Sequence, residues 1–133
     1  MSETAPKKKH SVLLIDDDQF LLSMYSIKFK NLGFEVETIT SATSALQKLR
    51  DGLKPDMVLC DLVMPTMDGL EFIRRFKEER LSPSSLVVVL SNFGQSAEVE
   101  KAKDLGVDGF IIKASTIPSE VVAEVKALLT KKK

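Results

Sequence analysis

Cysteine occurs once, at Cys60, and histidine once, at His10. A single cysteine excludes an internal disulfide and a cysteine-based zinc cluster, and it fits a reducing, cytoplasmic setting. The single histidine precedes the first apolar segment and reads as inert. Charge of one sign is also missing, because 19 Lys and Arg balance 19 Asp and Glu. Neither nucleic acid nor a membrane surface is therefore an expected partner. No apolar run approaches the roughly 20 residues that a membrane-spanning helix needs. The opening "MSETAPKKKH" carries charge with no apolar segment behind it, so it does not read as a signal peptide.

What is present is an ordinary globular composition, 44% apolar and 29% charged over 133 residues. That suits one domain with one sizeable core. Residues 1–10 read as a flexible basic tail, 11–130 as the domain and 131–133 as a C-terminal tail.

Strand and helix signals alternate. "SVLLI" (11–15), "MVLC" (57–60, with Asp56 before it) and "SLVVVL" (85–90) are short apolar runs, as expected of strands buried on both faces. "FEVETI" (34–39) alternates as a half-exposed strand does, and "DGFII" (108–112) is a fifth strand. Helices are expected over 19–32, from Ser41 as N-cap to Gly52, over 69–79, over 95–105, and from Thr116 or Ser119 to about residue 129. In the first helix, Leu21, Tyr25, Phe29 and Leu32 fall on one face. Five β-α units of this kind predict a parallel sheet covered by helices. Ligand sites in such sheets lie beyond the carboxyl ends of the strands, where the strand order reverses.

Asp16 and Asp17 follow the first strand, Asp61 the third, Ser91 the fourth and Lys113 the fifth. The predicted fold alone gathers three carboxylates, a hydroxyl and an amine. Clustered carboxylates repel, and a hard divalent cation such as Mg²⁺ (or Mn²⁺) relieves the conflict with oxygen ligands. A carboxylate beside such a cation can act as nucleophile toward phosphorus and form an aspartyl phosphate. "DLVMPTMDG" then reads as a nucleophile, Asp61, on a tight loop shaped by Pro65 and Gly69.

The set "IDDD", "CDLVMPTMDG", "LSN" and "GFIIK" resembles the receiver domain of two-component response regulators, the CheY-like family. Asp17 to Asp61, Asp61 to Ser91 and Ser91 to Lys113 are separated by 44, 30 and 22 residues. Each motif alone is weak, whereas the ordered set at strand ends is specific, and it covers roughly residues 11–129. The resemblance implies a flavodoxin-like fold, a five-stranded parallel sheet in order 2-1-3-4-5 with five helices on both faces. It implies Asp61 as phospho-acceptor, and Asp17, Asp61 and the backbone carbonyl of Val63 as direct Mg²⁺ ligands, with Asp16 acting through water. It implies Ser91 and Phe110 as switch residues, Lys113 as the phosphate-binding amine, and Val63 and Phe93 as flanks of the pocket. The partners it implies are a sensor histidine kinase or histidine phosphotransfer protein and an unnamed target protein. The helix at 95–105, the fifth strand and the last helix are the implied contact face. The only implied chemistry is self-catalysed phosphorylation and slow self-dephosphorylation, not turnover of a substrate.

Competing readings stand beside these. Phe110 suits plain core as well as a switch. Asp18 and Asp68 suit helix N-caps, and Met57, Met64 and Met67 suit packing. A haloacid-dehalogenase-type phosphatase needs an acid two residues after its nucleophile, where Val63 stands. A pseudo-receiver that binds partners without phosphorylation is the alternative that the intact acidic set opposes. Only "TKKK" follows the fifth unit, so no output domain is expected, although an excised receiver reads the same way. The family's lysine is usually followed by proline after a cis bond. Here Ala114 follows Lys113, and the need to aim the amine favours the family geometry.

Overall fold

The computed structural model of the chain describes residues 10–62, 67, 69–91, 97–112 and 118–131. Their order is β1 (Ser11–Ile15), α1 (Gln19–Asn31), β2 (Glu35–Ile39), α2 (Ala42–Arg50), β3 (Met57–Asp61), α3 (Gly69–Glu78), β4 (Leu86–Ser91), α4 (Ala97–Asp104), β5 (Gly109–Ile112) and α5 (Pro118–Lys131). The five strands pair in parallel in the order β2-β1-β3-β4-β5. This is the expected CheY-like arrangement. The reversal lies between β1 and β3, whose carboxyl ends carry the acidic residues.

The apolar runs are explained by what lies on each side of the sheet. Val12, Leu14, Met57, Leu59, Val88 and Leu90 pack with Leu22, Tyr25 and Phe29 of α1 and Val121, Val125 and Leu129 of α5. Leu13, Ile15, Val58, Cys60, Val87 and Val89 pack on the other side with α2, with Phe72, Ile73 and Phe76 of α3, and with Ala102 of α4. Alternate residues of one strand thus enter opposite cores, which is why β1 beyond Ser11 and β3 before Asp61 are apolar throughout.

The face of α1 differs from the expected one. Leu22, Tyr25 and Phe29 are buried, whereas Leu32 is 54% exposed. The cause is the way the helix ends. Gly33 has φ +87°, its N–H donates to the Lys30 carbonyl at 2.9 Å, and the Phe34 N–H donates to the Phe29 carbonyl at 3.1 Å. This double bond pattern stops the helix and returns the next residue to the core. Phe34 therefore takes the place expected of Leu32, with its ring edge-on to Phe29 at 5.2 Å. The same pair of bonds closes α2 at Gly52 and α4 at Gly106. In α3 the left-handed position belongs to Arg80, at φ 52°.

The opposite edge of the sheet is closed by two aspartates that each precede a strand. The Ser11 N–H donates to Asp56 Oδ2 at 2.8 Å, and the Asp56 N–H donates to the Ser11 carbonyl at 2.9 Å. Asp108 repeats the arrangement, accepting the Val87 N–H at 2.8 Å and donating to the Val87 carbonyl at 2.7 Å. The domain is slightly longer than expected: the His10 carbonyl accepts the Glu35 N–H at 2.9 Å, and Lys131 ends α5 rather than starting a tail. The tail residues 1–9 and 132–133 lie outside the described residues.

Candidate functional site

The site is built where β1 and β3 run out. The Asp16 N–H donates to the Ile39 carbonyl at 3.2 Å, which carries the β1–β2 ladder one residue beyond β1. Asp16 Oδ1 accepts the Asp18 N–H at 3.0 Å and folds the acidic run back on itself. Asp18 Oδ1 accepts the Leu21 N–H at 3.1 Å, so Asp18 is the N-cap of α1, the role expected of it. A run of three acids is thereby divided. One residue serves the helix, and the other two stay at the strand end.

Asp61 is the last residue of β3, in register with Leu90 of β4. It is only 7% exposed, and Asp16 only 4%, whereas Asp17 is open to solvent. The Cys60 thiol donates to the Asp61 carbonyl oxygen at 3.1 Å. Each of Asp16, Asp17 and Asp61 offers a carboxylate oxygen, and these oxygens lie within 4.8 Å of one another. Two unit charges that close repel by roughly 3 to 4 kcal/mol at an effective dielectric constant of about 20. Two of the three are withdrawn from water, which sharpens the conflict. The donor set consists of hard oxygens, two of them shielded and one open to solvent. It fits a small hard divalent cation that keeps part of its water shell.

The remaining expected residues are distributed as follows. Ser91 ends β4, opposite Ile112 of β5, so its backbone lies at the same edge; its side chain is outside the described part of the structure. Phe110 lies on β5 opposite Val89, half-buried against the core on the α2–α4 side. Met57 is fully buried and Met67 packs against that core. Val63, Phe93, Lys113, Pro65, Met64 and Asp68 lie outside the described residues, as does the Lys113–Ala114 bond.

Two contacts of α3 were not anticipated. Gly69 is the first residue of α3, as expected, but it also packs directly on the backbone of Asp61 and Leu62. Its N–H donates to the Leu62 carbonyl at 2.9 Å. Two residues on, still in the first turn of α3, Glu71 is held by Arg74 and by Arg75, whose Nε approaches at 2.6 Å. The hydrogen bonds from Arg74 and then Arg75 lower its carboxyl pKa to about 2. The sequence signal for that cluster is the i, i+3 and i, i+4 spacing of Glu71, Arg74, Arg75 and Glu78.

Residues 12–126 match the family model of the response regulator receiver domain. The chain belongs to the response regulator receiver family. The receiver is 35% identical over 112 residues to the chemotaxis protein CheY of Thermotoga maritima, covering 84% of this chain and 90% of that protein. It is 33% identical over 121 residues to the DNA-binding response regulator MtrA of Mycolicibacterium paratuberculosis, covering 91% of this chain and 52% of that one. The chain thus spans about half the length of MtrA. A CheY-like receiver domain protein from Methanospirillum hungatei superposes with a TM-score of 0.84 at 22% identity, covering 94% of this chain and 97% of that one, which speaks for the fold. Family membership places the receiver in two-component signalling and sets the phosphatase reading aside. Receiver domains of this family interact with histidine kinases or phosphotransfer proteins and hold Mg²⁺ through acidic residues. Among the described residues no helix is long and apolar enough to cross a membrane.

Proposed function

We propose that this receiver accepts a phosphoryl group on Asp61 from the phosphohistidine of a sensor histidine kinase or histidine phosphotransfer protein. The single observation that carries the reading is the convergence of the Asp16, Asp17 and Asp61 carboxylates within 4.8 Å at the switch point of the sheet. Asp17 and Asp61 would hold a Mg²⁺ (or Mn²⁺) ion, with the Val63 carbonyl as the further ligand that the family resemblance implies, and Asp16 would act through water. When bound, the ion supplies positive charge that offsets the three carboxylates and the incoming phosphoryl oxygens.

The chain's own residues do the rest. An Asp61 carboxylate oxygen attacks phosphorus in line with the leaving group. The new bond is Asp61 oxygen to phosphorus, and the bond broken is phosphorus to the donor's imidazole nitrogen. That nitrogen keeps the electron pair. Burial of Asp61 and Asp16 holds their positions through β3 and β1. Lys113, the residue after β5, and the Ser91 hydroxyl donate to phosphoryl oxygens, and Phe110 moves with Ser91. Signal leaves through the face formed by α4, β5 and α5 to a target protein. The receiver turns over no separate substrate. The lone buried thiol of Cys60 supports a reducing, cytoplasmic setting.

Intact-mass measurement after incubation with acetyl phosphate tests this reading. One added phosphate is expected with Mg²⁺ present, none in excess chelator, and none in Asp61→Asn. Labelling that persists in the chelator or in that variant would overturn it.

A further inference from the structure

We infer that Gly69 is a positioning residue for the acceptor: its missing side chain lets the start of α3 rest directly on the Asp61–Leu62 peptide and fix where the Asp61 carboxylate sits. The inference rests on the reading of Asp61 as part of a divalent-cation site.

The β3 ladder pairs Asp61, its last residue, with Leu90 of β4. Beyond Asp61 the strand has ended, and the start of α3 meets the peptide there. A Cβ on Gly69 would run into the Asp61 carbonyl oxygen, and would lie 2.7 Å from Leu62 Cα and 3.0 Å from the Asp61 carbonyl carbon. All three are backbone atoms, so no side chain can rotate out of the way. The Gly69 N–H completes the contact by donating to the Leu62 carbonyl at 2.9 Å. The Cys60 thiol meets the same Asp61 carbonyl oxygen at 3.1 Å. The peptide after the acceptor is thus contacted by Gly69 and by Cys60.

The helix cannot retreat to make room. Phe72 and Ile73, in the first turn and a half of α3, are fully buried against the sheet. A methyl group at position 69 must therefore displace the Asp61–Leu62 peptide or lift the start of α3. Either movement changes the spacing of three oxygens that now lie within 4.8 Å. Gly69 does not have the positive φ that marks Gly33, Gly52 and Gly106. Close approach, not backbone conformation, is what requires glycine here.

Mg²⁺ titration by calorimetry tests the inference on three proteins: wild type, Gly69→Ala, and Leu129→Ala. Leu129 is buried in α5, in the core on the far side of the sheet, and supplies a destabilised control. Gly69→Ala is expected to bind Mg²⁺ at least about tenfold more weakly, as when residues that orient metal ligands are changed. Leu129→Ala is expected to stay within about twofold of wild type, because distant sites are nearly independent. If Gly69→Ala unfolds in dilute buffer, all three are titrated in trimethylamine N-oxide, which favours compact states. Wild-type affinity in Gly69→Ala overturns the inference, as does a variant that stays unfolded even there, since the contact would then hold the fold and not the acceptor. Absence of Mg²⁺ binding in wild type would instead remove the cation site itself.

Discussion

Asp56 and Ser11 exchange backbone and side-chain hydrogen bonds at the edge of the sheet opposite the acidic site, with the Ser11 N–H 2.8 Å from Asp56 Oδ2. This pair starts β1 and β3 in register, and those two strands carry Asp16 and Asp61 at their other ends. Asp56→Ala is expected to lower unfolding free energy by about 1.5 to 3 kcal/mol, the range for a hydrogen bond to a charged group. Asp108→Ala removes the corresponding bond to Val87, but Asp108 is exposed, so the loss should be smaller, roughly 0.5 to 1.5 kcal/mol. Urea unfolding of the two variants checks both the sign and the order.

Asp18 and Asp61 are separated by the same experiment run on function. Asp18→Ala removes the N-cap bond to Leu21 and should cost about 1 kcal/mol of stability. It should leave Mg²⁺-dependent phosphorylation at Asp61 essentially intact. Loss of phosphorylation in a folded Asp18→Ala protein would mean that the third acid of "DDD" belongs to the site.

Much of this architecture was readable from the residues, and the exceptions have physical causes. Strands that are apolar on both faces and end in Asp16, Asp61 or Ser91 announce a covered parallel sheet and its ligand edge. Gly33 and Gly52 announce helix ends, and Asp18 and Ser41 announce helix starts. The inward face of α1 was misjudged at Leu32, because periodicity does not show that the chain will double back at Gly33 and insert Phe34 instead. The tight seat of Gly69 on Asp61 was hidden for another reason. It joins α3 to the end of β3 through backbone atoms, and backbone contacts leave no residue pattern.

Arg80 was equally hidden, because a helix end that recruits arginine to a left-handed conformation breaks the usual glycine signal. An L-residue there pays a steric penalty that glycine avoids. Arg80→Gly is expected to raise stability by about 0.5 to 1 kcal/mol, offset in part by the greater freedom of glycine in the unfolded chain. A lower thermal midpoint in the variant would contradict this account of the α3 terminus.

Glu71 gives the acid limb of stability a specific source. Its carboxyl pKa is lowered from 4.5 to about 2 by the hydrogen bonds from Arg74 and then Arg75. The unfolded chain binds this proton first as pH falls, so the contribution is fully present above about pH 4.5 and disappears as pH drops toward 2. The residue is only half-buried and its ion pairs are screened, so the contribution is small. The stability difference between wild type and Glu71→Gln should be constant at neutral pH and close within that acid window. A difference that instead grows on acidification would contradict the assignment.

We propose that two apolar residues, Val63 and Phe93, set the lifetime of the phosphorylated form. Val63 and Phe93 stand two residues beyond Asp61 and Ser91, and neither can orient an attacking water. The Val63→Asn/Phe93→Glu double variant is expected to lose its phosphoryl group faster than wild type. Equal decay rates, followed by intact mass after removal of the donor, would contradict shielding by these residues.

The central claim is that phosphorus bonds to one carboxylate, that of Asp61. Borohydride reduces an acyl phosphate to an alcohol, so it converts a phosphorylated aspartate to homoserine and leaves free carboxylates untouched. The phosphorylated protein, reduced and mapped by peptide mass spectrometry, should carry homoserine at position 61 and nowhere else, and only when Mg²⁺ was present with the donor. Homoserine at position 16 or 17, or at no position in a sample shown by intact mass to be phosphorylated, would contradict the account.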